Sequence, residues 1–125
     1  PCEATSVARG TLNDTSLQII AASGPVSDHV KGITIPFGQG IVGLCFDMGF
    51  SIQVDDVSRH KSHLAQVDSQ TGFETRATLC VPIRDDSHRM FGVIQLINPK
   101  SDFLDWHIEC AETVARTLSG PLAAA

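Results

Sequence analysis

Short runs of alternating apolar and polar residues, punctuated by glycine, proline and aspartate, predict more strand than helix in this chain. Ser6-Val7-Ala8-Arg9-Gly10 and Ser16-Leu17-Gln18-Ile19-Ile20-Ala21 read as two strands flanking an Asn13-Asp14 turn, and so short a connection predicts an antiparallel hairpin. Ser23-Gly24-Pro25 closes the second strand, and a polar loop carries Asp28 and His29. Gly32-Ile33-Thr34-Ile35-Pro36 reads as a third strand, which Pro36 confines to an edge or a terminus. Gly38 and Gly40 then permit a tight turn into a helical spacing of Ile41, Val42, Leu44 and Cys45 that stops before Gly49.

Phe50-Ser51-Ile52-Gln53-Val54 alternates again and reads as a fourth strand, ending at Asp55-Asp56, good turn and N-cap residues. Asp56 to Gln70 is polar, with Leu64, Ala65 and Val67 at helical spacing, and predicts one or two short helices in a loop-rich segment. Residues 75–84 and 89–98 read as two further apolar strands joined by the polar hairpin Asp85-Asp86-Ser87-His88. Asp105 is placed to cap a last helix with an apolar stripe of Ile108, Ala111, Val114, Ala115 and Leu118. This order predicts an α+β domain, with a central antiparallel sheet of about six strands and helices packed on it.

Composition narrows the function classes. At 125 residues the chain fits one domain, and its 42% apolar and 18% charged content is that of an ordinary folded protein. A formal net charge of −5 with nine scattered basic residues argues against a nucleic-acid surface, which needs clustered lysine and arginine. No apolar stretch approaches the roughly 20 residues that span a bilayer, and the first residues have no secretory pattern, so the expectation is a cytoplasmic domain without membrane contact. A chain that opens on Pro1 and enters strand-like sequence at once is expected to be a piece of a longer signalling protein. Cys2, Cys45, Cys80 and Cys110 show no Cys-x-x-Cys spacing, and Cys45 and Cys80 sit in apolar contexts where cysteine packs as a small hydrophobe.

Gly38-Gln39-Gly40-Ile41-Val42-Gly43, followed by Thr71-Gly72-Phe73-Glu74-Thr75-Arg76, Leu79-Cys80-Val81-Pro82-Ile83 and Phe91-Gly92-Val93-Ile94-Gln95-Leu96-Ile97-Asn98, resembles in order and spacing the GAF domain. That family comprises small sensory modules of phosphodiesterases, cyclases, histidine kinases and transcriptional activators. The resemblance covers roughly Ala4 to Leu118. It implies a GAF/PAS-like single domain, with a ligand pocket between one sheet face and a cap of short helices and loops, and without the helix that commonly precedes the first strand. It also implies a non-enzymatic regulatory role: a small molecule is bound and the signal passes to an output domain on the same polypeptide, in a homodimer. The alternative is a ligand-free dimerisation and relay module working through its terminal helices.

On this resemblance Gly40, Ile41, Val42 and Leu44 wall one side of the pocket, where glycines and the unpaired N–H groups of a helix start let a ligand approach the backbone. The cap runs from Asp56 to Arg76. Phe73 is suited to stack on a planar ring, Thr71 and Thr75 to supply hydroxyls, and Arg76 to meet an anion or to pair with Asp55 or Asp56 as a structural salt bridge. Leu64, Asp68 and, on the last apolar strand, Gln95 complete the candidate set.

Cofactor signals are incomplete. Asp55, Asp56, His60, His63 and Asp68 crowd one segment, but aspartates after a strand are ordinary caps and no His-Glu-x-x-His signature is present, so no metal is expected. Cyclic-nucleotide-binding relatives carry Asn-Lys…Phe…Asp-Glu. Asn98, Lys100 and Phe103 match loosely, but His107 and Ile108 stand at the acidic positions, which weakens that ligand without excluding it. No Cys-His dipeptide offers bilin attachment, and His29 and His107 lie in no haem motif. Some relatives reduce methionine sulfoxide with cysteines, but here no resolving pair is evident and no catalytic residue is assigned.

Overall fold

The computed structural model describes residues 2–11, 13–24, 27–55, 77–99, 103 and 105–124. The described elements are β1 (Cys2–Arg9), β2 (Ser16–Ser23), α1 (Ser27–Val30), β3 (Thr34–Pro36), α2 (Gly40–Met48), β4 (Ile52–Val54), β5 (Thr78–Arg84), β6 (Met90–Pro99) and α3 (Asp105–Ala124). The strands form one six-stranded antiparallel sheet in the order β3-β2-β1-β6-β5-β4. Pro36 lies on the edge strand β3, where a missing N–H breaks no inner ladder.

Because side chains alternate across a strand, the sheet supports a core on each face. On one face Ala8, Leu17, Ile19, Cys80 and Val93 pack with Ile41, Val42, Cys45 and Phe46 of α2. On the other, Leu79, Val81, Ile83 and Ile94 pack with Phe103 and with Ala115 of α3. α2 carries two glycines in nine residues and no side-chain N-cap, so its intrinsic helix tendency is poor. Burial supplies what propensity lacks: Ile41, Val42 and Phe46 are each at most 6% exposed, worth about 1.5–3 kcal/mol apiece. Gly49 ends the helix as expected, in the left-handed conformation with its N–H donating to Cys45 O.

Several boundaries differ from the sequence reading. The loop expected around Asp28 and His29 contains one helical turn, α1, whose Val30 packs against the α2-side core. That single apolar anchor is too short a pattern to register as a period. β1 begins earlier than Ser6 because β6 offers it partners out to Cys2↔Pro99. α3 continues past Leu118 to Ala124, through Pro121. Its buried and half-buried stripe is Ile108, Ala111, Ala115, Leu118 and Leu122, whereas Val114, expected in the stripe, is 53% exposed. The helices expected between Asp56 and Gln70 lie outside the described residues. Among the described residues no helix is long and apolar enough to cross a membrane.

Candidate functional site

The α2-facing side of the sheet carries cross-strand rows that the register defines. One runs Ala22, Ser6, Gln95, Cys80, Ile52 over β2, β1, β6, β5 and β4, and the next runs Ala4, Ile97, Thr78, Val54 over β1, β6, β5 and β4. Within this apolar surface three residues carry polar groups: Ser6 and Thr78 are buried and Gln95 is half-buried. Gln95 Nε2 donates to Thr78 Oγ1 at 3.2 Å, and Thr78 Oγ1 donates to Leu96 O at 3.2 Å. A carbonyl can only accept, so the hydroxyl proton is committed to Leu96, and Thr78 must receive from the amide NH₂ of Gln95. The orientation of the Gln95 amide is therefore fixed, and its Oε1 has no partner among the described residues.

Cys80 and Cys45 belong to the same core. Burial pushes the Cys80 thiol up to about 12, only partly offset by its contact with Thr78 Oγ1 at 3.9 Å. Burial likewise pushes the Cys45 thiol far up, and nearby Cys80 adds to the shift. Cys45 Sγ donates to Phe50 O at 3.4 Å. Both sulfurs are neutral thiols at physiological pH, poor nucleophiles and poor metal ligands.

Of the residues expected to bind ligand, Gly40, Ile41 and Val42 are buried at the start of α2, and Leu44 is half-buried on it. Gly38 and Gly40 adopt φ of 78° and 68°, the left-handed turn the sequence predicts. Gln95 faces the same side from β6. Asp55 is exposed, and its carboxylate accepts from Gln53 Nε2 at 3.0 Å, a side chain that also donates to Phe103 O on the α3 side. Asp56, Leu64, Asp68, Thr71, Phe73, Thr75 and Arg76, with His60 and His63, lie outside the described residues. Among the described residues no group of three His, Cys, Asp or Glu side chains is placed to hold a metal. Thr78 and Ser6 were not singled out from sequence. The available signal was a polar residue at inward register on an otherwise apolar strand.

Two residues of the loose cyclic-nucleotide motif, Asn98 and Phe103, have structural roles, and Lys100 lies outside the described residues. Asn98 is buried at φ 54°, and its Oδ1 accepts from Ala77 N at 3.1 Å while its own N–H donates to Ala77 O at 2.8 Å, joining the end of β6 to the start of β5. Phe103 belongs to the α3-side core. On that side a cavity of about 320 Å³ lies between α3 and the sheet, lined by Leu79, Leu96, Phe103, Trp106, Cys110 and Val114 among others. Trp106 is 57% exposed and its ring meets that of His107 at a tilt, with centroids 3.8 Å apart.

A six-stranded antiparallel sheet with α2 over one face and a long terminal helix over the other is the architecture of the GAF fold. The GAF domain family model matches residues 2–121, and the chain belongs to that family. GAF domains are in general regulatory modules, although some proteins with this fold are enzymes. The chain is 30% identical over 69 residues to the dual 3',5'-cyclic-AMP and -GMP phosphodiesterase 11A of Takifugu rubripes, a match to 55% of this chain and 8% of that protein. It thus spans less than a tenth of the length of that relative. Among solved structures, the GAF domain of a phosphoenolpyruvate-protein phosphotransferase from Coxiella burnetii superposes with a TM-score of 0.84 at 21% identity, over 99% of this chain and 73% of that one. A free methionine-R-sulfoxide reductase from Neisseria meningitidis, in complex with its substrate, superposes with a TM-score of 0.76 at 22% identity, over 98% and 68% of the two chains.

Proposed function

We propose that this GAF domain is a cytoplasmic sensory module that binds a small molecule against the α2-facing side of its sheet and passes the signal to an output domain on the same polypeptide. The observation that carries this reading is the Gln95–Thr78 pair: two hydrogen-bonded polar side chains, with one amide oxygen that has no partner among the described residues, set into an apolar sheet face beside Ser6. Few, oriented polar groups in an apolar surround are what a ligand site requires. In this reading Gly40, Ile41, Val42 and Leu44 wall the site, and Asp55, Asp56, Leu64, Asp68, Thr71, Phe73, Thr75 and Arg76 supply its other side. Ligand binding then biases two arrangements of the domain, and the output follows the population. The role is regulatory rather than catalytic, because the two thiols on this face are buried and protonated.

The test is a thermal-unfolding screen against cyclic nucleotides, other nucleotides, 2-oxoglutarate and haem, repeated with Gln95→Leu. A ligand at about 100 times its dissociation constant adds about 2.7 kcal/mol, a shift of several degrees in the midpoint, which Gln95→Leu should abolish. A ligand that shifts both proteins equally would place binding elsewhere and refute the assignment.

A second reading is favoured by the α3 side, where Trp106 and Val114 stand exposed beside the apolar cavity. There the domain would pair with a second copy through α3 and relay by that contact. Sedimentation velocity decides it: a dimer that Val114→Glu converts to monomer supports relay through α3, and a monomer at all concentrations rejects it.

A further inference from the structure

A second cavity, of about 510 Å³, opens at the far end of the sheet from the Gln95–Thr78 pair, where the C-terminus of α2 meets the β5–β6 turn. Six residue steps along β5 separate Thr78 from Arg84, about 20 Å at the rise of an extended strand. Its volume lies within the range of about 300–1,000 Å³ typical of small-molecule sites.

The lining has an apolar part and two charged parts. Phe37 and Phe46, with ring centroids 4.9 Å apart, and the thioethers of Met48 and Met90 give the apolar part. Asp47 stands in the last turn of α2, a turn that contains no basic residue of its own. Arg84 and His88 line the same cavity from β5 and the β5–β6 turn. Arg84 Nη1 donates to Gly49 O at 2.8 Å, which anchors the guanidinium, and its other N–H groups have no side-chain partner among the described residues. His88 is held at φ 64° by a tight turn in which its own N–H donates to Asp85 O at 3.0 Å, while Asp85 Oδ1 accepts from Ser87 N and Arg89 N, each at 2.9 Å. Among the described residues no ion pair joins Asp47 to Arg84. Opposite charges therefore line one cavity with no ion pair between them among the described residues.

We propose that this cavity binds a free, zwitterionic amino acid with an apolar side chain. Its ammonium group is received by Asp47, and its carboxylate by Arg84 and His88. Its side chain lies on the phenylalanine and methionine surface. A simple anion would meet repulsion from Asp47 and a simple amine repulsion from Arg84, so only a ligand carrying both charges is matched on both sides.

The experiment is an amide-resolved NMR titration with L-leucine, with N-acetyl-L-leucine and L-leucinamide as probes that each lack one charge. L-leucine carried to about 10 mM fills some nine-tenths of a site whose dissociation constant is about 1 mM. The expected result is saturable movement of the Gly49, Arg84 and His88 amides by L-leucine, with at least tenfold weaker binding of both blocked derivatives. Asp47→Asn should weaken L-leucine while leaving N-acetyl-L-leucine unweakened. His88→Asn, which tolerates the left-handed turn, should weaken L-leucine and L-leucinamide unequally, with L-leucine losing more. No movement at these amides, equal binding of either blocked derivative, or movement confined to the region of Thr78 and Gln95 would each overturn the proposal.

Discussion

Gly92 on β6 tests whether the pairing of β1 with β6 is the tightest constraint in this domain. The two strands run side by side at the centre of the sheet, with Arg9 opposite Gly92 and Ala8 opposite Val93. A Cβ placed on Gly92 would run into the backbone carbonyl oxygen of Ala8, far inside any van der Waals contact. The obstacle is main chain held in a ladder, so it cannot rotate away, and the strands must separate locally. Separation forfeits about two ladder hydrogen bonds at roughly 1 kcal/mol each. Overpacking strain adds about 1–3 kcal/mol, so Gly92→Ala should cost about 3–5 kcal/mol. With 125 residues and about 2.1 cal/mol/K of unfolding entropy per residue, that lowers the melting midpoint by about 11–19 °C. Gly10 provides the comparison. A Cβ there meets Leu17 Cδ2 at 2.8 Å, the far end of a side chain that can shift, so Gly10→Ala should cost only about 1–2 kcal/mol. Calorimetric and urea unfolding of both variants measures the difference. A Gly92→Ala protein within about 1 kcal/mol of wild type, or more stable than Gly10→Ala, would refute the reasoning.

Two further outcomes follow from the thiols and from the β5–β6 turn. Exposed Cys110 and half-buried Cys2 should react with a thiol reagent such as Ellman's reagent in the native protein, and Cys45 and Cys80 only after denaturation, because burial keeps the latter pair protonated. Four equivalents released at one rate would contradict this. Asp85 accepts from the backbone N–H groups of Arg89 and Ser87 and from Arg89 Nε, and these bonds, led by Arg89 N, hold its carboxyl below the ordinary carboxylate range. A carboxyl lowered by folding contributes stability above its unfolded value and loses it as pH falls through the folded one. The urea midpoint should therefore decline less between about pH 6 and about pH 3 in Asp85→Asn than in wild type, and identical declines would reject the role.

Much of the fold was legible because its signals are local. Pro36 announced an edge, Gly49 announced the end of α2, and Asp85 through His88 announced a hairpin, each through backbone chemistry that tertiary packing did not override. What escaped depends on partners distant in sequence. The start of β1 becomes strand only because β6 lies beside it. The spacing of α3 admitted Val114 to the apolar stripe, but the face that packs on the sheet follows Ile108, Ala111, Ala115, Leu118 and Leu122, and Val114 falls just off it. For the candidate site, α2 and Gln95 were readable from the family resemblance. Thr78 was not, because its significance arises from a hydrogen bond to a residue 17 positions away, and spacing alone carries no trace of such a bond.

The strand order also sets the sequence of events during synthesis. Within the described sheet β3, β2 and β1 form one block and β4 and β5 another, and the two are hydrogen-bonded together only through β6, the last of these six strands in chain order. Until residues 90–99 emerge, β1 and β5 are both open edges, each a template for pairing with another chain. A nascent chain paused before β6 would thus hold two unfinished sheets and exposed halves of both cores, so its vulnerability to aggregation falls abruptly when one ten-residue strand is inserted.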